Sequence, residues 1–246
     1  MRVAILVCGN TLPAIAERRG DFARWIREKT ALDARWTARD LRSPGPLPGP
    51  RDADAFILTG SSSSVTERAP WMLRAEDLVR QIAAARVPLL GICFGHQLMA
   101  QALGGRVSRN PLGREIGTVR VERVADDPIF ARMPRVFDVH ATHVDAVVVL
   151  PPGAEVLATT ALDRCAAFRI GDRLRAVQFH PEFEADIIRG YLRARAEVIR
   201  SEGQDPDALL ARVHAGTRGA DILRNFGRML PRLRPASRAQ WSWAPS

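Results

Sequence analysis

The sequence predicts an α/β protein with a mostly parallel central sheet flanked by helices and a helical extension at the C-terminal end. Three observations carry this. Short, largely apolar runs at Met1–Cys8, Ala53–Leu58 and Val87–Leu90, charged only at Arg2 and Asp54, have the length and hydrophobicity of strands buried on both faces. Helix-patterned stretches alternate with them, as in Trp71–Ala85, where Trp71, Leu78 and Ile82 share one face. Strand–helix alternation of this kind builds parallel sheets, whose sites gather beyond the carboxyl ends of the strands. The second and third runs each lead into glycine there, at Gly60 and Gly91. With 246 residues and 46% hydrophobic content the chain can fill a sizeable core. The expected division is a main domain over residues 1–200 and a helical extension with a loose tail over 201–246.

Taken in order, Met1–Cys8 reads as the first strand. Ala14–Lys29 reads as a helix, on the spacing of Phe22, Trp25 and Ile26. Ala34–Arg39 is a weaker strand. Residues 42–50 hold four prolines and two glycines and read as a loop. Ala53–Leu58 is a buried strand feeding the Gly60 loop, Trp71–Ala85 a helix, Val87–Leu90 a strand and His96–Leu103 a helix that ends at Gly104-Gly105. The second half changes character. Gly117–Val124, Val136–Val139, Ala146–Leu150, Glu155–Thr159, Ala166–Ile170 and Leu174–Phe179 are short strand-like runs, the last two joined by a Gly171-Asp172 hairpin turn. Three helices are expected after Phe183: Ala185–Arg200, Pro206–His214 and Ala220–Leu230. Arg232–Ser246, with Trp241 and Trp243, reads as a loose tail.

The richest segment chemically is Gly91-Ile92-Cys93-Phe94-Gly95-His96-Gln97. It sets a thiol between two glycines at a strand-to-helix turn. Such an elbow exposes its apex residue, and the amides opening the helix point at whatever that residue attacks. The helix dipole favours thiolate over thiol. A thiol nucleophile needs a base, and the base needs an orienting group. Among His96, His140, His143, His180 and His214, His180 is the best base: it ends the alternating run 175–179, and Pro181 stops further strand pairing. Glu182 lies two residues on, and in extended backbone it shares the face of His180, placed to hold the imidazole from behind. Taken alone, Cys93 also reads as an inert core cysteine and His-Pro-Glu as a surface turn; the two together argue for chemistry.

These segments closely resemble the class I glutamine amidotransferases, in the branch related to the glutaminase domain of GMP synthase. The resemblance rests on Gly91–Gln97, on Gln178-Phe179-His180-Pro181-Glu182-Phe183, on the 87-residue separation of Cys93 and His180, on Thr59-Gly60-Ser61-Ser62 as an oxyanion loop and on Thr142-His143-Val144-Asp145. It spans about Met1–Leu192 and implies a flavodoxin-like layering of the sheet. It also implies roles. Cys93 attacks the γ-amide carbon of glutamine, His180 moves the proton and Glu182 orients His180. The amide of Phe94 and one from the Gly60-Ser61 loop hold the oxyanion, at about 3 kcal/mol per donor. Gln97, Thr142 and His143 receive the glutamyl head group. The oxyanion loop lacks a second glycine and the proline common in the family, and Thr142 replaces a serine; no backbone donor is lost by either. Glu115 is a weaker candidate, in a segment near the substrate pocket of relatives.

Composition bounds the rest. The formal charge is +9, yet the basic residues are 35 arginines, spread over the whole chain, and the single Lys29. No stacking motif accompanies them, so nucleic acid is not expected as a partner. Cys8, Cys93 and Cys165 are scattered and odd in number, which argues for a reducing, cytoplasmic compartment and offers no metal site. No cofactor is expected. No apolar run approaches the ~18 residues of a membrane span. There is no Walker-type phosphate loop, and the ~60 residues after Phe183 leave no room for a domain of typical size, so an ammonia-using synthetase is expected on a separate chain. The alternatives are a stand-alone γ-glutamyl peptidase or hydrolase working with the same three residues, and a non-catalytic binding or regulatory protein.

Overall fold

The computed structural model describes residues 1–233; the expected tail, with Trp241 and Trp243, lies largely outside the described residues. The chain runs β1 (Arg2–Val7), α1 (Pro13–Arg19), α2 (Phe22–Thr30), β2 (Arg35–Asp40), β3 (Ala55–Leu58), α3 (Pro70–Ala84), β4 (Leu89–Ile92) and α4 (Phe94–Ala102). It continues through β5 (Arg106–Arg109), β6 (Glu115–Arg123), β7 (Val136–His143), β8 (Asp145–Val149), β9 (Ala154–Thr159), β10 (Ala167–Ile170) and β11 (Leu174–Val177). It closes with α5 (Ala185–Ala194), α6 (Ala196–Ser201), α7 (Pro206–Ala211) and α8 (Gly219–Leu233).

Nine strands form one sheet in the order β2-β1-β3-β4-β11-β10-β9-β6-β7. The first five are parallel. The other four extend the sheet antiparallel. The parallel part takes the layered form the alternation predicts. Val3 and Ile5 face a cluster with Phe22, Ile26, Ile188 and Phe226. Ala4 and Leu6 face the other layer, with Leu78, Ile82, Leu98 and Met99. Burial on both faces is why these strands read as largely apolar runs. The face of α8, with Ile222, Leu223, Phe226 and Leu230, lies in the same cluster as β1 and α2. A buried carboxylate ties the sheet's antiparallel side together. Asp127 accepts from Arg175 of β11 at 2.7 and 3.0 Å and from Arg169 of β10 at 3.2 Å.

Some expectations need correction. The single helix over 14–29 is two, because Gly20 takes φ +80° and Asp21 then caps α2, accepting from the Arg24 amide at 2.8 Å. The helix over 185–200 is also two: Arg195 leaves helical geometry at φ −110°, ψ 11°. The strand β5 is one that the sequence pattern does not mark: only Val107 of its four residues is buried, so it carries no hydrophobic signal. It pairs antiparallel with β8 in a separate two-stranded sheet.

Candidate active site

The site lies at the carboxyl ends of β3, β4 and β11, neighbours at the centre of the sheet. Cys93 follows β4 directly and adopts φ +50°, ψ −102°, a backbone conformation costly for a residue with a Cβ. Surrounding contacts hold it there. Its amide donates to Val177 O of β11 at 2.9 Å, and the Gly95 amide to Thr59 O after β3 at 3.2 Å. Neither flanking glycine has room for a side chain. A Cβ at Gly91 would lie 2.6 Å from Gly95 O and Met99 Sδ, and one at Gly95 would lie 2.6 Å from Leu58 Cβ. The Phe94 amide opens α4, among the helix-start amides that lack an intrahelical partner.

His180 is set by β11 and β7 jointly. Its amide donates to His140 O at 2.8 Å. Its Nδ1 lies 2.7 Å from Glu182 Oε1. Phe183 stacks on the ring with centroids 4.0 Å apart and planes 17° from parallel. The Gly60 loop presses on the same ring: a Cβ at Gly60 would lie 2.8 Å from His180 Cε1. Cys93, His180 and Glu182 are 5%, 3% and 0% exposed, so their charges interact with little screening by water.

That environment favours an ion pair. Burial pushes the Cys93 thiol up, but the His180 charge, the hydrogen bond from His180 and the charge of His143 together bring it below its ordinary value. Burial pushes His180 down, but the charges of Glu182 and Cys93 and their hydrogen bonds raise it to about 10. At neutral pH the imidazole therefore carries the proton, and its charge favours the thiolate form of Cys93. The other two cysteines are different: burial raises Cys8 to about 12, and Cys165 is also raised by burial.

Two cavities meet at this pair. The first, about 400 Å³, is bounded by Cys93, Gln97, Thr142, His143 and the Ser61–Ser64 loop. The second, about 290 Å³, lies on the His180 side, against Phe22 and Tyr191. Gln97 is locked: its Nε2 donates to Asp145 O at 2.9 Å and to Gln178 Oε1 at 3.1 Å, so both of its donors are used. His143 is held at both nitrogens, Nδ1 3.0 Å from Asp145 O and Nε2 3.0 Å from Glu115 Oε2. Burial lowers His143, and the bond to Glu115 and its charge raise it by more, so it ends above its ordinary value. Glu115 therefore touches the site through His143. Thr142 O lies 3.9 Å from Cys93 Sγ. Ser61 Oγ accepts from the Ser63 amide at 3.1 Å, shaping the loop.

His96 sits in the elbow helix but faces away from the thiol, with Nε2 3.8 Å from Cys165 Sγ and its ring against Phe168. Burial brings it down to about 3, so it is neutral. Sequence reasoning missed Arg195, which lines both cavities. Its Nη1 donates to Thr142 Oγ1 at 2.7 Å and its guanidinium lies over the Tyr191 ring. As one of 35 arginines it gave no signal. Among the described residues no group of three or more His, Cys, Asp or Glu side chains is arranged to hold a metal ion, and no helix is long and apolar enough to cross a membrane.

A cysteine of lowered pKa on a strained elbow, beside a protonated imidazole and helix-start amides, is the equipment of cysteine-dependent acyl transfer. Residues 39–189 match the profile of the family Glutamine amidotransferase class-I, and the chain belongs to that family. A GMP synthase [glutamine-hydrolyzing] from Thermomicrobium roseum is 40% identical over 180 residues, 73% of this chain and 31% of that protein. A gamma-glutamyl peptidase 4 from Arabidopsis thaliana is 32% identical over 152 residues, 58% of this chain and 61% of that protein. The chain thus spans about a third of the length of the GMP synthase and less than two thirds of the peptidase. Among solved structures, a glutamine amidotransferase from Thermotoga maritima superposes with TM-score 0.71 at 25% identity, covering 94% of this chain and 98% of that one. One from Methylobacillus flagellatus reaches TM-score 0.77 at 19% identity, covering 99% of each, a likeness of fold alone.

Proposed function

We propose that this chain hydrolyses the γ-glutamyl amide bond of glutamine through a Cys93 thioester, and that the ammonia passes to a separate synthetase chain. The observation that carries this reading is the Glu182–His180 contact of 2.7 Å behind a buried Cys93 whose pKa the His180 charge lowers. The Cys93 sulfur attacks the γ-carbonyl carbon. The amides of Phe94 and of the Gly60-Ser61 loop receive the oxyanion as the carbonyl opens. His180 gives its proton to the departing nitrogen, the C–N bond breaks and ammonia leaves. Water, deprotonated by the now neutral His180, attacks the thioester; glutamate departs and the thiolate is restored. Glu182 keeps the imidazole oriented and steadies its charge in both steps. With both donors of Gln97 engaged, its Oε1 is the atom left for the substrate, suited to an α-ammonium group. Thr142 and His143 line the same cavity.

The peptidase alternative uses the same atoms with an amine in place of ammonia. It is favoured by the second cavity, on the side where the leaving group receives its proton. The test is ammonia release from glutamine by the purified chain and by its Cys93→Ala variant. Release by the first and none by the second supports the reading; equal release by both overturns it.

A further inference from the structure

The leaving group departs toward His180, so the space on that side sets what can leave. Ammonia is about the size of a water molecule, whose share of liquid volume is about 30 Å³. The cavity beside His180 holds about 290 Å³. Its walls carry both apolar and cationic groups: Leu12, Phe22 and Tyr191 make it partly apolar, and two guanidiniums reach it, Arg42 and Arg195.

The two arginines differ. Arg42 is matched by Asp40, to which it donates from Nε at 3.0 Å and Nη2 at 2.7 Å. In the neighbouring cavity Arg109 and Arg114 both pair with Glu202, at 3.2 and 2.6 Å. Arg195 is the cavity arginine with no carboxylate partner among the described residues. It spends one N–H on the Thr142 hydroxyl and lies over Tyr191, which leaves its other donors free. Burial pulls its pKa down, the mark of a cation in need of a counter-charge. Planar guanidinium donors fit a carboxylate in two-point contact.

We propose that the cavity beside His180 is a leaving-group subsite in which Arg195 binds the free carboxylate of an amino acid or short peptide joined to the γ-glutamyl group. This rests on the γ-glutamyl thioester chemistry proposed above and adds, beside glutamine, a substrate class for that site: γ-glutamyl amino acids and peptides. The step balances as for glutamine. The Cys93 S–C bond forms, the C–N bond to the amino acid breaks, His180 supplies the proton to its nitrogen, and water later releases glutamate.

The probes are γ-glutamylglycine and γ-glutamyl methylamide, which differ in the leaving-group carboxylate. In the wild-type chain kcat/KM for the glycine conjugate is expected to exceed that for the methylamide by about tenfold to a hundredfold, the range of one charge-assisted contact. In Arg195→Met the ratio of the two should collapse toward one, and Arg195→Lys should restore part of it. The ratio cancels any loss common to both substrates. Binding of the same pair to Cys93→Ala, by calorimetry, reads the subsite without turnover and should show the same preference, lost again with Arg195→Met. A ratio near one in the wild-type chain, or a ratio that survives Arg195→Met, overturns the subsite. Carboxylate-dependent binding without hydrolysis of either probe or of glutamine would leave the subsite standing and overturn the thioester chemistry. Glutamine hydrolysis with no carboxylate preference would do the reverse.

Discussion

His180 Nδ1 and Glu182 Oε1, both buried, lie 2.7 Å apart, with Phe183 stacked on the imidazole. That contact fixes which ring nitrogen faces Cys93. It also supplies, after the opposing effect of burial, the leading cause that holds His180 protonated up to about 10. Glu182→Gln keeps the shape and removes the charge. The expected result is a fall in kcat of about 10²–10⁴-fold with a lesser change in KM. Full activity in this variant would contradict the role given to Glu182.

The lowered pKa of Cys93 predicts its reactivity. A group whose folded pKa is lowered stays ionised as pH falls until that lower value is passed. Alkylation of Cys93 by iodoacetamide should therefore remain fast below pH ~8.5, where an ordinary thiol is mostly protonated. Cys8 and Cys165, raised by burial, should stay unmodified. The check is a peptide map of the labelled protein across pH; equal labelling of all three cysteines would contradict the ion pair.

Gly60 has no room for a methyl group because His180 Cε1 would lie 2.8 Å from it. Gly60→Ala should shift the imidazole or the oxyanion loop. Losing one well-placed oxyanion donor is worth about 10²–10³-fold in kcat, and a loss of that order is expected with little change in thermal stability. Activity within a fewfold of wild type would show that the loop has slack that these contacts deny.

Away from the site, Asp127 is the buried partner of Arg175 and Arg169. Asp127→Ala leaves the guanidinium of Arg175, 4% exposed, without its counter-charge. A loss of about 3–5 kcal/mol in unfolding free energy is expected from denaturant titration. A change under about 1 kcal/mol would mean that the pair is dispensable.

The parallel strands and the Cys93 elbow were legible because their signals are local: largely apolar runs, and glycines where a Cβ would strike Leu58 or Met99. His180 and Glu182 were legible because extended backbone puts alternate residues on one face. Gly20 is the local sign of the break between α1 and α2. Other features had no local sign. β5 exists through its pairing with β8, not through its own residues. The link from Glu115 to His143 joins residues that β6 and β7 bring opposite each other in register. Arg195 matters because, among the arginines lining the two cavities, it has no carboxylate partner within the described residues. That is a property of its surroundings and not of its spacing.

The most direct measurement is of the covalent intermediate itself. The wild-type chain is mixed with glutamine and with γ-glutamylglycine, quenched in acid within the first turnovers and mapped by mass spectrometry. A glutamyl acyl group on the peptide carrying Cys93, absent from Cys93→Ala together with all turnover, is the predicted result. Product formation that persists in Cys93→Ala would contradict the account at its centre.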